Sequence, residues 1–440
     1  MGSSANRRNF LKLGAAAVAA SFSAVENAFA SRLTETLGGA PGSAFAGTPS
    51  AAGGGAKAPQ FSGLSAAYGL SADITYFNHA SIGTMPRIVM EAREQYQRAC
   101  ETNPWLYVWS DGFGNARESV RQKAAAYLGC DAEEVALTHN TTEGMNVVSQ
   151  GLPLGPGDEV LFSSMNHAGA SVCWEQQAVR RGFSTKRFEL SAAGAEHMTP
   201  QALIAAYERQ ITAATKVLVF PHIDNIVGFR HPVREMADMA RARGVEFIAI
   251  DGAQSVGMIE FRVEDLGVDF YCASPHKWVQ SPKGTGFFYI RRDVQPMVES
   301  MWTRSASSRQ RQTVRKYEDY GTRNLSAVMA LGAAIDFQTR LGPAAKEARC
   351  RELWQYFYDR VAGSARLIWR SARSWDFASS LFAVEIDGVA ADEAFQRLFQ
   401  EHGFVFRAFT GGGLNHARIS PNVMNTEDEI DRFVAAAEAL

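Results

Sequence analysis

Short apolar runs recur along the middle of this chain, separated by stretches in which apolar residues return every three or four positions. The runs Glu134-Val-Ala-Leu-Thr138, Glu159-Val-Leu-Phe162, Lys216-Val-Leu-Val-Phe220, Val245-Glu-Phe-Ile-Ala-Ile250 and Phe270-Tyr-Cys-Ala273 are rich in strand formers and too short for helices. Their apolar residues are mostly consecutive rather than alternating, which predicts strands buried on both faces. Strand-like and helix-like stretches follow one another in turn, and that order predicts an α/β fold with a mainly parallel sheet covered by helices. Beyond about Leu325 the pattern changes to Ala-rich helical stretches, a two-strand pattern around Leu381-Phe-Ala-Val-Glu385, and a last helix from Thr426 to Leu440. We therefore expect a large domain over 66–325 and a smaller C-terminal α/β domain over 326–440.

The first 65 residues depart from this pattern. Asn6-Arg7-Arg8-Asn9-Phe10-Leu11-Lys12, an apolar stretch from Leu13 to Val25 and Ala28-Phe29-Ala30 form the three parts of an export signal. The apolar stretch is shorter than the roughly 20 residues of a membrane span, so no membrane anchor is expected. The paired arginines followed by Phe-Leu-Lys resemble a twin-arginine signal. That resemblance implies passage through the twin-arginine export machinery in the folded state, cleavage after Ala30 and residence in the periplasm. Residues 31–65 are dominated by Gly, Ala, Ser and Pro, with too few large apolar side chains to offset the entropy of ordering, and read as a flexible tether.

Composition narrows the function. With 440 residues, 46% hydrophobic and 20% charged, the chain has ample material for a core. The 44 basic and 46 acidic residues nearly cancel, which argues against nucleic-acid and membrane-surface partners. Five cysteines without a C-x-x-C pair argue against a disulfide framework and a zinc site, so no metal is expected.

The chemistry concentrates at strand ends. Asp251 follows the run ending at Ile250 and opens Asp251-Gly-Ala-Gln254, and Lys277 follows the run ending at Ala273, in Ser274-Pro-His276-Lys277-Trp278. In parallel sheets such positions face the ligand crevice. Lysine there condenses with an aldehyde, and a carboxylate there holds a pyridine nitrogen protonated, so the pair points to pyridoxal 5'-phosphate. Burial should depress the pKa of Lys277, and its amine is the natural base for an α proton. Asn140 and Glu143, just after another run, have capping-box spacing and predict a helix whose free N–H groups suit a phosphate.

These segments resemble the class V aminotransferase family, and the resemblance runs from about Tyr76 to Leu440. It implies the aspartate-aminotransferase-like fold, pyridoxal phosphate fold type I, with a seven-stranded sheet. It further implies Lys277, Asp251 and a ring-stacking His167 as catalytic residues. Thr141, Thr142, Ser274 and His276 would reach the phosphate, and Asn225 the ring hydroxyl, with Gln254 beside it. Thr322, in Tyr320-Gly321-Thr322-Arg323-Asn324, would serve the neighbouring subunit of a homodimer. Arg418 would clamp the substrate carboxylate, and Ala80 and Ser81, in Asn78-His-Ala80-Ser81-Ile-Gly83, would line the substrate side.

Arg323 and this amino-terminal segment resemble the isopenicillin N epimerase-like branch more than the cysteine desulfurases. The desulfurases also carry a catalytic cysteine on a loop before the carboxylate arginine, and here no cysteine follows Cys350. Arg323 and Arg407 are expected to meet a second acidic group on the substrate, and the loops Trp105 to Phe113 and Trp302 to Arg311 to select it. The expected substrate is an amino acid or an amino-acid moiety of a secreted metabolite. Epimerisation, amino transfer, side-chain modification of a siderophore peptide and C–S or C–C cleavage remain alternatives, as does a non-catalytic ligand-binding protein on the same fold.

Overall fold

The computed structural model describes residues 3–37, 61–109, 111–192, 194–302, 313–411 and 413–440. The loop expected to select substrate over 303–311 and the tether over 38–60 lie outside them. The strands, in chain order, are β1 (Thr75–Tyr76), β2 (Val135–Thr138), β3 (Glu159–Ser163), β4 (Ser184–Phe188), β5 (Thr215–Pro221), β6 (Phe247–Asp251), β7 (Phe270–Ala273), β8 (Gly286–Ile290), β9 (Leu367–Trp369), β10 (Phe382–Ile386), β11 (Phe404–Val405), β12 (Arg407–Gly411) and β13 (Leu414–Ile419).

Seven of these form one sheet in the order β2-β8-β7-β6-β5-β3-β4. The contacts among β3, β4, β5, β6 and β7 are parallel, and β8 alone runs against its neighbours β2 and β7. β5, β6, β7 and β8 are buried along nearly their whole length, as their unbroken apolar runs require. Each Phe, Ile or Val so buried contributes roughly 1.5–3 kcal/mol relative to exposure. β3 leads to β4 on one side and the chain then crosses to β5 on the other, so the strand order reverses there and opens a crevice at the carboxyl ends.

The C-terminal part is a four-stranded antiparallel sheet, β12-β13-β10-β9, backed by the helices Pro343–Ala362, Ala391–His402 and Glu427–Glu438. β1 pairs in parallel with β11, so the first strand of the chain belongs to the C-terminal part. The helix Leu325–Leu341 is buried on nearly every face and packs against the helices Arg87–Thr102 and Asp111–Leu128.

The tether expected over 31–65 is shorter at both ends than its composition implied. Residues 31–37 continue the helix Ser3–Leu37, where Phe29 and Leu33 bury against the core and Arg32 pairs with Glu91. The Ala-rich sequence has high helix propensity, and these few apolar side chains supply the docking face. Leu64 is already buried at the start of the turn Leu64–Ala67. Among the described residues no helix is long and apolar enough to cross a membrane.

Candidate active site

A cavity of about 280 Å³ lies at the carboxyl ends of the strands, near the lower bound of the roughly 300–1,000 Å³ typical of ligand pockets. It collects one contribution after another from the sheet. β2 leads into the helix Thr141–Gly151, whose first turn faces the cavity, β3 leads to His167, β5 to Asn225, β6 ends on Asp251, and β7 leads to Ser274, His276 and Lys277.

The helix start is built for an anion. Asn140 caps it by accepting from Glu143 N at 2.9 Å, with Thr142 and the positive dipole end of the helix at the cavity. The predicted capping box is half formed. Glu143 turns its carboxylate to His139, accepting from its backbone N at 2.5 Å and meeting Nδ1 at 2.7 Å, rather than returning to Asn140. The Ser274 hydroxyl accepts from Thr141 N at 3.0 Å and lies 2.8 Å from Thr141 Oγ1, tying the two phosphate-side segments together.

Lys277 sits where burial pulls its pKa down to about 8, against the opposing pull of the Asp251 carboxylate. Asp251 is buried and accepts from Ala253 N at 3.0 Å, which fixes its carboxylate at the end of β6. Burial also lowers the pKa of His167, whose Nδ1 caps the helix Ala168–Arg181 by accepting from Gly169 N at 3.0 Å. His276 is pushed down to about 4 by burial and by Lys277, and its buried Nδ1 has no hydrogen-bond partner. An unsatisfied buried nitrogen beside a helix N-terminus fits a phosphate-bearing group.

The substrate side is closed by the segment Asn78–Gly83. Gly83 N donates to His276 O at 2.9 Å, and a Cβ at Gly83 would overlap the Lys277 carbonyl oxygen, so glycine permits the close approach. Arg418, on β13, is buried and donates to Asn225 O at 2.9 Å, Asn78 Oδ1 at 3.0 Å and Ser81 Oγ at 2.5 Å. Burial, then Arg407, lowers its pKa to about 9.

Most of the residues singled out from sequence therefore meet in one place. Ser81, Thr141, Thr142, His167, Asn225, Asp251, Gln254, Ser274, His276 and Lys277 line the cavity. Gln254 lies there and also serves as a brace. Its amide joins Ala80 O at 2.9 Å to Trp278 Nε1 at 3.0 Å, bracing the amino-terminal segment against the lysine loop. Ala80 is buried and holds its place through backbone contacts to Gln254 and Ser420 without lining the cavity. Thr322 is exposed and outside this chain's own cavity.

The expectation for Arg323 fails. Its guanidinium is buried away from the cavity, donating to Glu318 Oε2 at 3.0 Å and Leu137 O at 2.7 Å. Glu318 also pairs with Arg121, and a buried carboxylate shared by several guanidiniums keeps them where they are.

Sequence reasoning missed a polar network directly behind Lys277. Lys346 is buried and donates to Trp278 O at 2.5 Å and Gln338 Oε1 at 2.6 Å. Gln338 Nε2 reaches Val279 O at 3.2 Å and Gln280 Oε1 at 3.1 Å, and Tyr68 donates to the same Gln280 oxygen at 2.7 Å. Gln280 has φ 60, a left-handed conformation that a non-glycine residue holds only when its surroundings enforce it.

The profile of the aminotransferase class-V family matches residues 75–433. The chain belongs to the class-V aminotransferase family. It is 28% identical over 389 residues to isopenicillin N epimerase of Streptomyces clavuligerus, covering 84% of this chain and 96% of that protein. It is 30% identical over 391 residues to a probable cysteine desulfurase of Halobacterium salinarum, covering 83% and 91%. Among solved structures, a lysine-to-alanine variant of C-DES with glycine covalently linked to its cofactor superposes with a TM-score of 0.75 at 22% identity, covering 86% of this chain and 98% of that one. An Escherichia coli cysteine desulfurase superposes at 0.74 with 23% identity, covering 87% and 98%. The likeness to these two structures is in fold, a pyridoxal phosphate fold type I architecture. This class-V member is a pyridoxal phosphate enzyme, and its cavity carries a lysine, an acid and an anion-binding helix start that fit that cofactor.

Proposed function

We propose that this class-V enzyme is exported and acts at the α-carbon of an amino acid, or of an amino-acid moiety within a secreted metabolite, with an aminotransferase or epimerase outcome. The reading rests foremost on Lys277 and Asp251 lining one cavity, with the Arg418 guanidinium bonded to Asn225 and Ser81 of its wall, a base, a ring-nitrogen partner and a carboxylate fork. When bound, pyridoxal phosphate supplies an electron sink for a bond broken at that carbon. Asp251 would hold the pyridine nitrogen protonated, and His167 would pack against the ring. Thr141, Thr142, Ser274 and His276 would hold the phosphate. Arg418 fixes the substrate carboxylate, and Lys277 Nζ, poised at a pKa of about 8, takes and returns the α proton near neutral pH.

Desulfurase chemistry is disfavoured because β12 and β13 and the turn joining them contain no cysteine. The exposed Thr322 supports a homodimer in which this residue reaches the neighbouring cavity. The leader sequence supports twin-arginine export with cleavage after Ala30 and a periplasmic home.

The visible spectrum of the purified protein, with and without borohydride and beside a Lys277→Ala variant, tests the chemistry. A visible band that borohydride bleaches and the variant lacks is expected. A protein that stays colourless with added pyridoxal phosphate would overturn the reading. The intact mass of the protein recovered from the periplasm tests the leader, which requires a chain beginning at Ser31.

A further inference from the structure

β12 and β13 place two arginines face to face. Arg407 and Arg418 are direct partners in the antiparallel register, so their side chains leave the same face of the hairpin. Like charges directly opposite one another oppose pairing unless something neutralises them. Among the described residues no carboxylate pairs with either. Every hydrogen-bond partner of Arg418 is a neutral oxygen, and its buried Nε has no partner. Arg407 is exposed and lies over the Phe409 ring, whose centroid is 5.1 Å from its guanidinium carbon. The guanidinium carbon of Arg418 lies 5.6 Å from the same centroid. Phe409 itself is stacked on His416 at 5.4 Å, which holds the ring in place. One aromatic ring thus serves as a platform for two cations, Arg418 bonded to Asn225 and Ser81 of the cavity wall and Arg407 exposed to solvent.

Resting on the reading of Arg418 as the fork for the substrate carboxylate, we propose that Arg407 is a second anion subsite and that the substrate is an amino acid bearing two carboxylates. The free form and a residue within a larger metabolite share this chemistry. Both guanidiniums act on the interior of the site, since each opposes protonation of Lys277 and of His167. One anion on Arg418 would leave Arg407 facing solvent and still repelling its cross-strand neighbour. A second anion bridging outward removes that repulsion and lets both planar forks bind bidentately. Arg323, the other cation expected for this purpose, is taken up by Glu318, which leaves the task to Arg407.

Calorimetric titration of the cofactor-loaded protein with glutarate and valerate, five-carbon acids with two and one carboxylates, tests this. Glutarate is expected to bind at least tenfold tighter, with the preference falling at high salt. In Arg407→Ala the ratio should collapse to about twofold. Arg407→Lys should keep part of the preference, and Arg407→Glu should reverse it. A wild-type ratio within twofold, or a preference that survives Arg407→Ala, would overturn the proposal. The visible band of the same samples separates the two failures. A normal band with no glutarate preference removes the second subsite alone, whereas a protein that never gains the band removes the underlying cofactor site and this proposal with it.

Discussion

Lys346→Met should change stability in opposite senses at acid and alkaline pH. Burial lowers the Lys346 pKa from 10.5 to about 7, and the groups it faces, the Cys350 thiol at about 11 and the His79 ring at about 3, stay neutral across the range of interest. Because the unfolded chain binds this proton more tightly than the folded one, stability rises with pH between about 7 and 10.5. At pH 6 the buried ammonium costs about 5 kcal/mol, and at pH 9, where the folded amine is neutral, about 2 kcal/mol, taking 1.36 kcal/mol per pKa unit. Methionine removes that cost at every pH but leaves Trp278 O and Gln338 Oε1 without a donor, roughly 1–3 kcal/mol each. The variant should therefore equal or exceed wild type near pH 6 and fall below it near pH 9, the difference swinging by about 3 kcal/mol. Urea unfolding of both proteins at matched cofactor content, repeated at pH 6, 7.5 and 9, measures the swing. A difference flat to within about 1 kcal/mol would refute the burial of a titrating amine at this position.

Three further outcomes are expected of the site and its supports. The rate at which cofactor-free protein forms its visible band with pyridoxal phosphate should climb about tenfold per pH unit below the Lys277 pKa of about 8 and level off above it, because only the neutral amine attacks. Stopped-flow absorbance checks this, and a midpoint near that of an exposed lysine would contradict it. Glu318→Gln leaves Arg121 and Arg323 buried without their shared carboxylate and should cost about 3–5 kcal/mol in denaturant unfolding, with loss of less than 1 kcal/mol counting against the cluster. Gly83→Ala puts a methyl group against the Lys277 carbonyl and should weaken cofactor binding at least tenfold with little change in far-ultraviolet circular dichroism.

The parts of the site that were legible in the sequence are those that strand ends define. β6 and β7 read as buried runs because they are buried on both faces, and a run that stops at Asp251 or just before Ser274 fixes the crevice side of those residues. One helix cap was legible too, since Asn140 acts through a neighbour three residues away. Arg323 was misplaced because a motif gives the order of residues and not which way a side chain leaves the backbone. Its destination depends on Glu318, five residues earlier, and on Leu137 across the sheet. Lys346 and Gln338 were invisible for a related reason. Lysine and glutamine on a helix ordinarily mark its wet face, and only the burial of the surrounding residues on Leu325–Leu341 for Gln338 and on Pro343–Ala362 for Lys346 reverses that meaning.

The parallel pairing of β1 with β11 also sets an order of assembly. Ser81 and Asn78 take their positions from Arg418, and the backbone around Phe77 and His79 bonds to Ser420, so one wall of the cavity is closed by residues near the end of the chain. A chain growing from its amino terminus can form the seven-stranded sheet first, yet that wall has nothing to lean on until the last strand has been made. Cofactor capture in a finished pocket is therefore an event of the completed polypeptide. A truncation that removes β13 and the final helix should leave a folded sheet that cannot retain the cofactor.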